Sequence, residues 1–153
     1  MDEVLKIVND IKAGNIKPIY FLMGEEPYYI DKLSDYIEEN VLSEEEKSFN
    51  QTVLYGRDVS VEDIISTAKR YPMMAERQVV IVKEAQDLSR YINGNQGEEE
   101  KTGNGKKVKQ EIPPLLTYAE NPMPTTVLVF CYKYKVIAKN KKIYKAILKN
   151  FKH

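Results

Sequence analysis

Apolar residues along the chain fall into two rhythms, one helical and one of short continuous runs. Val4, Val8 and Ile11 recur at helical spacing before Gly14, which predicts a short amphipathic helix stopped by glycine. Pro18 to Met23, PIYFLM, reads as a buried strand. After the Gly24 turn, Ile30, Leu33, Ile37 and Val41 mark one face of a second helix, with acids on the other side. Phe49 to Tyr55 alternates well enough for a strand closed by Gly56. Ser60, with Asp63 three residues on, opens a helix whose stripe is Val61, Ile64, Ile65 and Ala68. Lys69 and Arg70 suit its last turn, and Pro72 should end it near Tyr71.

Gln78 to Val82, QVVIV, is a β-branched run that predicts a strand buried on both faces. Pro113 and Pro114 suit the first turn of a helix carrying Leu115, Leu116 and Ala119. Thr125 to Tyr132 is a fourth strand, and Ile143, Ile147 with Tyr144, Leu148 and Phe151 a last helix. Strands alternating with helices predict one three-layer α/β domain, residues 1–153, around a parallel sheet, and there is no internal repeat. Residues 93–109, low in apolar side chains and rich in Gly, Asn, Glu and Lys, read as a mobile surface loop.

Composition narrows the chemistry. The single cysteine, Cys131, and single histidine, His153, leave no disulfide framework and no metal-ligand cluster, so neither a metalloenzyme nor a histidine-based hydrolase is expected. No apolar run approaches the ~20 residues that span a bilayer, and the N-terminus carries acids where a secretory signal would carry cations. A cytoplasmic protein without a membrane partner is expected. Formal charge balances at 23 against 23, but unevenly: Glu25 to Glu46 holds nine acids and one lysine, and Lys133 to Lys152 eight lysines and no acid. The basic end is a solvated helix face or a phosphate-attracting patch.

The stretch YFLMGEEPYYIDK has the outline of a phosphate-binding loop, an apolar run ending at a glycine with a helix after it. Laying G-x-x-x-x-G-K-[ST] on Gly24 puts Tyr29 at the second glycine, Ile30 at the lysine and Asp31 at the Ser/Thr. Tyr29 obstructs close backbone approach, Ile30 cannot neutralise phosphate, and Asp31 repels it, with Glu25 and Glu26 adding negative charge. After QVVIV, where a magnesium-binding aspartate would stand, come Lys83 and Glu84. A strand-turn-helix joint without cofactor is expected, with no productive ATP binding.

Taken in order, KPIYFLMGEEPYYIDK, FNQTVLYGRD, YPMMAERQVVIVKEAQDL and TTVLVFCYKYK with its lysine-rich helix resemble the N-terminal domain of the delta subunit of bacterial DNA polymerase III, a clamp-loader component. The resemblance implies an AAA+-like fold that keeps the ATPase frame without hydrolysing ATP, and a sheet ordered second, third, fourth, first strand. The first strand would then lie at an exposed edge. It also implies a role in binding the ring-shaped sliding clamp (the beta subunit) and favouring its open form for loading onto primed DNA. Further partners would be the other loader subunits, gamma/tau and delta prime, with DNA reached through the assembly. Family chains add a lid and a helical collar, and this sequence stops at His153, before either is expected. In the family a hydrophobic pair at the end of the helix before the R-Q strand grips the clamp; here those positions are Met73 and Met74, beside Tyr71 and Pro72.

From the residues alone, two methionines after a helix stop cannot both easily face the sheet, and flexible thioethers suit an accommodating apolar cleft. The plain alternative is that one or both pack in the core. Two other classes stay open: a nucleotide-hydrolysing ATPase of the same fold, and a nucleic-acid module using the Lys133–Lys152 lysines with Tyr132, Tyr134 and Tyr144.

Overall fold

The computed structural model describes residues 2–88, 100–101, 107–108, 114–134 and 142–151. In chain order the elements are α1 Asp2–Lys12, β1 Ile19–Gly24, α2 Pro27–Asn40, α3 Glu44–Asn50, β2 Gln51–Tyr55, α4 Val61–Ala68, β3 Gln78–Lys83, a 3₁₀ turn Ala85–Leu88, β4 Glu100–Lys101, β5 Lys107–Val108, α5 Pro114–Glu120, β6 Thr126–Lys133 and α6 Lys142–Phe151.

Side-chain alternation along three strands builds the layers. Val79 and Ile81 of β3, Val127, Val129 and Cys131 of β6, and Tyr20 and Leu22 of β1 share one face, covered by Ile11 of α1 and Ile30, Leu33 and Ile37 of α2. Val80 and Val82, with Leu128, Phe130 and Tyr132, and Ile19 and Phe21, share the other, under α4, α5 and the Ile143 and Ala146 positions of α6. Burial on both faces is why these strands are continuous apolar runs instead of half-polar alternations. The four long strands are parallel in the order β1-β6-β3-β2, the expected order with the first strand at an edge. Register sets Phe21 opposite Phe130, their rings stacked at 5.2 Å.

Three features differ by more than a residue from the sequence reading. Phe49 and Asn50 do not begin a strand but end α3, an additional helix. Ser43 and Glu46 form a full capping box there, the Ser43 hydroxyl accepting from Glu46 N–H at 3.3 Å and the Glu46 carboxylate from Ser43 N–H at 3.0 Å. Helix α4 ends at Ala68, short of Tyr71, because the side chains of Gln78 and Thr126 draw off its last carbonyls. Within 93–109, Glu100–Lys101 pairs antiparallel with Lys107–Val108; the rest of that segment lies outside the described residues, as does the expectation of its mobility. Elsewhere the Ser60–Asp63 capping box forms as expected, and Pro114 takes the first position of α5. Among the described residues no helix is long and apolar enough to cross a membrane.

Candidate functional site

Two loops at opposite ends of the sheet carry the residues singled out by sequence. Gly24 is the last residue of β1, so the phosphate-loop outline lies at the carboxyl ends of the parallel strands. Residues 69–77 precede β3, so they lie at the amino end.

In the first loop several groups that would meet a nucleotide are engaged by the chain itself, while Glu25, Glu26 and Tyr28 are exposed. Gly24 adopts φ +152, open to glycine, and its carbonyl accepts from Tyr134 N–H at 2.8 Å. The Glu26 side chain caps α2, accepting from Tyr28 N–H at 3.1 Å, so a carboxylate already satisfies a donor at that helix start. Ile30 points into the core at 4% exposure, and Tyr29 is half-buried with its ring edge-on to Tyr28. Asp31 pairs with Lys133 at 2.9 Å, and the same ammonium reaches Glu84 at 3.3 Å. Gln86 completes the arrangement: its amide nitrogen donates to Glu84 and its oxygen accepts from Lys133 N–H at 3.1 Å.

Gln86 is the leading cause holding the Glu84 carboxyl below its ordinary value; burial opposes this and Lys133 adds to the lowering. For Lys133, burial disfavours the ammonium, but Asp31 and Glu84 outweigh it and leave the group above its ordinary value. A lysine thus bridges two carboxylates at the ends of β3 and β6, and the Tyr29, Ile30 and Asp31 positions supply a packed joint. Among the described residues, no cluster of His, Cys, Asp or Glu could hold a metal ion.

The second loop is built the opposite way, with its backbone pinned and its side chains free. Gln78 Nε2 lies 2.8 to 3.2 Å from the carbonyls of Thr67, Ala68 and Arg70, and 2.9 Å from the Thr126 hydroxyl, which itself donates to Ala68 at 2.6 Å. These bonds stop α4 and turn the chain outward. On the far side the buried Asn50 amide accepts from Met73 N–H at 2.6 Å and donates to the Met73 and Glu46 carbonyls at 2.9 and 3.1 Å. Held there, Tyr71, Met73 and Met74 are 80%, 61% and 102% exposed, and Pro72 is half-buried. Met74 has φ +56, a left-handed conformation uncommon outside glycine and asparagine. All four tip residues are therefore on one short loop, and neither methionine packs in the core.

The sequence reading missed Asn50 and Phe49. Phe49, at the end of α3, is 74% exposed. Ser43 followed by Glu46 was the available signal, since that capping box fixes α3 and with it the direction of both side chains.

Fold and site together define a class: an AAA+-like α/β domain with a Lys133 ion-pair bridge beside the Gly24 turn and exposed apolar side chains at the other end of the sheet. The family profile for DNA polymerase III, delta subunit, matches residues 20–153, and the chain belongs to that family. It is 30% identical over 147 residues to DNA polymerase III subunit delta of Bacillus subtilis (strain 168), covering 96% of this chain and 39% of that protein. Among solved structures it is similar to the Bacillus subtilis DNA clamp loader delta protein, with TM-score 0.71, 28% identity, and 96% and 40% of the two chains covered. A gamma subunit-related protein of DNA polymerase III from Thermotoga maritima shares the fold alone, at TM-score 0.50 and 13% identity over 96% of this chain and 43% of that one. The chain therefore spans about two-fifths of the length of these relatives.

Proposed function

We propose that residues 1–153 form a single domain that binds the sliding clamp through Tyr71, Pro72, Met73 and Met74 and favours the open ring, without hydrolysing ATP. In this reading it works in the cytoplasm beside the other loader subunits, gamma/tau and delta prime, and meets primed DNA through the assembly. The observation that carries it is Met74, fully exposed next to a 61% exposed Met73 on a loop whose backbone is fixed by Asn50. An exposed pair of apolar side chains held on a fixed loop suits a cleft on another protein, where burying each methionine would be worth roughly 1.5 to 3 kcal/mol.

The ATPase reading is disfavoured by Ile30 in the core and by the Asp31–Lys133–Glu84 bridge. The nucleic-acid reading is weakened because Tyr132 is fully buried and Lys133 is held between two acids. Titrating the chain onto the immobilised cognate clamp tests the proposal. Saturable binding with Kd near micromolar or tighter, about −8 kcal/mol, and little salt dependence is expected. Absence of binding, or binding to DNA that falls steeply with salt, would overturn it.

A further inference from the structure

Asn50 is 4% exposed, and the hydrogen bonds of its side chain fix its orientation. With the amide turned over, its oxygen would face two carbonyls and its nitrogen would face the Met73 N–H. In the observed orientation it treats Met73 as a neighbouring strand would, pairing both its N–H and its C=O. The bonds satisfy the buried Asn50 amide and at the same time hold the backbone of Met73, whose own side chain points outward. What the pairing does is leave Met74 at the turn, in a left-handed conformation, with its side chain entirely in solvent.

Phe49 immediately precedes Asn50 at the end of α3 and is exposed. Consecutive Cα atoms are about 3.8 Å apart, so Phe49 sits one residue from the amide that holds Met73. It is 74% exposed at the end of a seven-residue helix. Single exposed hydrophobics are ordinary on a surface, but Phe49, Tyr71, Met73 and Met74 come from two elements locked by hydrogen bonds and are exposed together.

We infer that the partner-binding surface is a two-element unit, the 71–74 tip plus Phe49 of α3, in which Asn50 is a positioning residue that holds the tip in its binding conformation. This rests on the clamp-binding reading and names more of that site. The partner face it fits is an apolar cleft that receives Met73 and Met74, with an apolar lip against which Phe49 lies. If releasing the tip left the competent conformation populated one time in ten, apparent affinity would fall about tenfold, because apparent Kd scales inversely with that population.

The test compares clamp affinity and association rate for the wild-type chain, Met73→Ala/Met74→Ala, Asn50→Ala, Asn50→Asp and Phe49→Ala, at a temperature where each is fully folded. Asn50→Asp keeps the acceptor for Met73 N–H and loses the donors, and it serves where Asn50→Ala melts too early. The expected result is a roughly tenfold or greater loss for Asn50→Ala, carried partly by slower association, an intermediate loss for Asn50→Asp, and a several-fold loss for Phe49→Ala with unchanged melting. In Asn50→Ala the Met73 and Met74 backbone amide resonances should also move toward random-coil positions, a change that a purely structural role for Asn50 at the end of α3 would not produce. Wild-type affinity in the Asn50 variants or in Phe49→Ala, with binding lost in the double methionine variant, overturns this inference and leaves the clamp reading standing. Undiminished binding by the double methionine variant rejects the reading itself.

Discussion

At the carboxyl ends of the strands, where α/β sheets usually take their ligands, this chain engages several of its side chains with its own residues. Ile30 is in the core, Glu26 caps its own helix, and Lys133 lies between Asp31 and Glu84. At the amino end of β3 the inverse holds, with backbone groups satisfied by Asn50, Gln78 and Thr126, and Tyr71, Met73 and Met74 in solvent. One sheet supports both. The difference teaches that two loops on one sheet can be built in opposite ways, by side-chain pairing at one end and by backbone pairing beneath exposed side chains at the other.

The comparison breaks most severely if the frame side chains are not structural. Ile30→Ala should cost about 2 to 5 kcal/mol of folding stability, the range for truncating a buried aliphatic side chain, measured by urea unfolding. A cost below about 0.5 kcal/mol, the usual scale of surface changes, would mean the frame is looser than described. Gly56→Ala comes next: an added Cβ would fall 2.2 Å from the Glu84 carbonyl oxygen, so the ends of β2 and β3 must separate, costing about 1 to 3 kcal/mol.

Ser60→Ala removes the N-cap that starts the helix leading to the tip and should cost about 1 kcal/mol. It should do so without weakening the clamp interaction once the chain is folded.

A gentler probe is the pH dependence of Lys133 and Glu84. Glu84 titrates below its ordinary 4.5 in the folded chain, so its contribution is present above that value and is lost as pH falls through the lower folded value. Lys133 titrates above its ordinary 10.5, so its contribution is complete below that value and is lost as pH rises through the higher folded one. Melting temperature should therefore be insensitive to this bridge between those limits and fall outside them. Lys133→Met should flatten the alkaline fall; an unchanged alkaline limb would show that the bridge does not couple to folding. The smallest expected effect is none at all: calorimetric titration with magnesium and ATP should release no heat, and saturable binding would reopen the frame as a nucleotide site.

Much of the fold was legible because both faces of the sheet are covered. Runs such as QVVIV and TTVLVFCY leave little choice of element, and Ser60 with Asp63 marks a helix start by its own hydrogen bonds. The order of strands was not contained in any one run and came from the likeness of the whole chain to a family. Phe49 and Asn50 were misread because their apolar-polar alternation imitates a strand. The Ser43–Glu46 capping box, a local signal of greater weight, places them in α3 instead. The tip position could be read from Pro72 and the two methionines, but the clasp could not, since Asn50 and Met73 are 23 residues apart and their pairing exists only once β2 and β3 are side by side. The Lys133 bridge was hidden for the same reason, as its partners lie 102 and 49 residues away in sequence.

The central claim is that the tip serves a partner and the frame serves the fold, and Met73→Ala/Met74→Ala tests it when melting and clamp affinity are measured on the same preparation. Because both methionines are exposed, melting should scarcely change, while affinity should fall by about two orders of magnitude or more, as loss of central apolar anchors costs at least about 2 kcal/mol and often more. A large drop in melting temperature, toward the roughly 2 to 5 kcal/mol of each buried truncation, or clamp binding equal to the wild type, would contradict it.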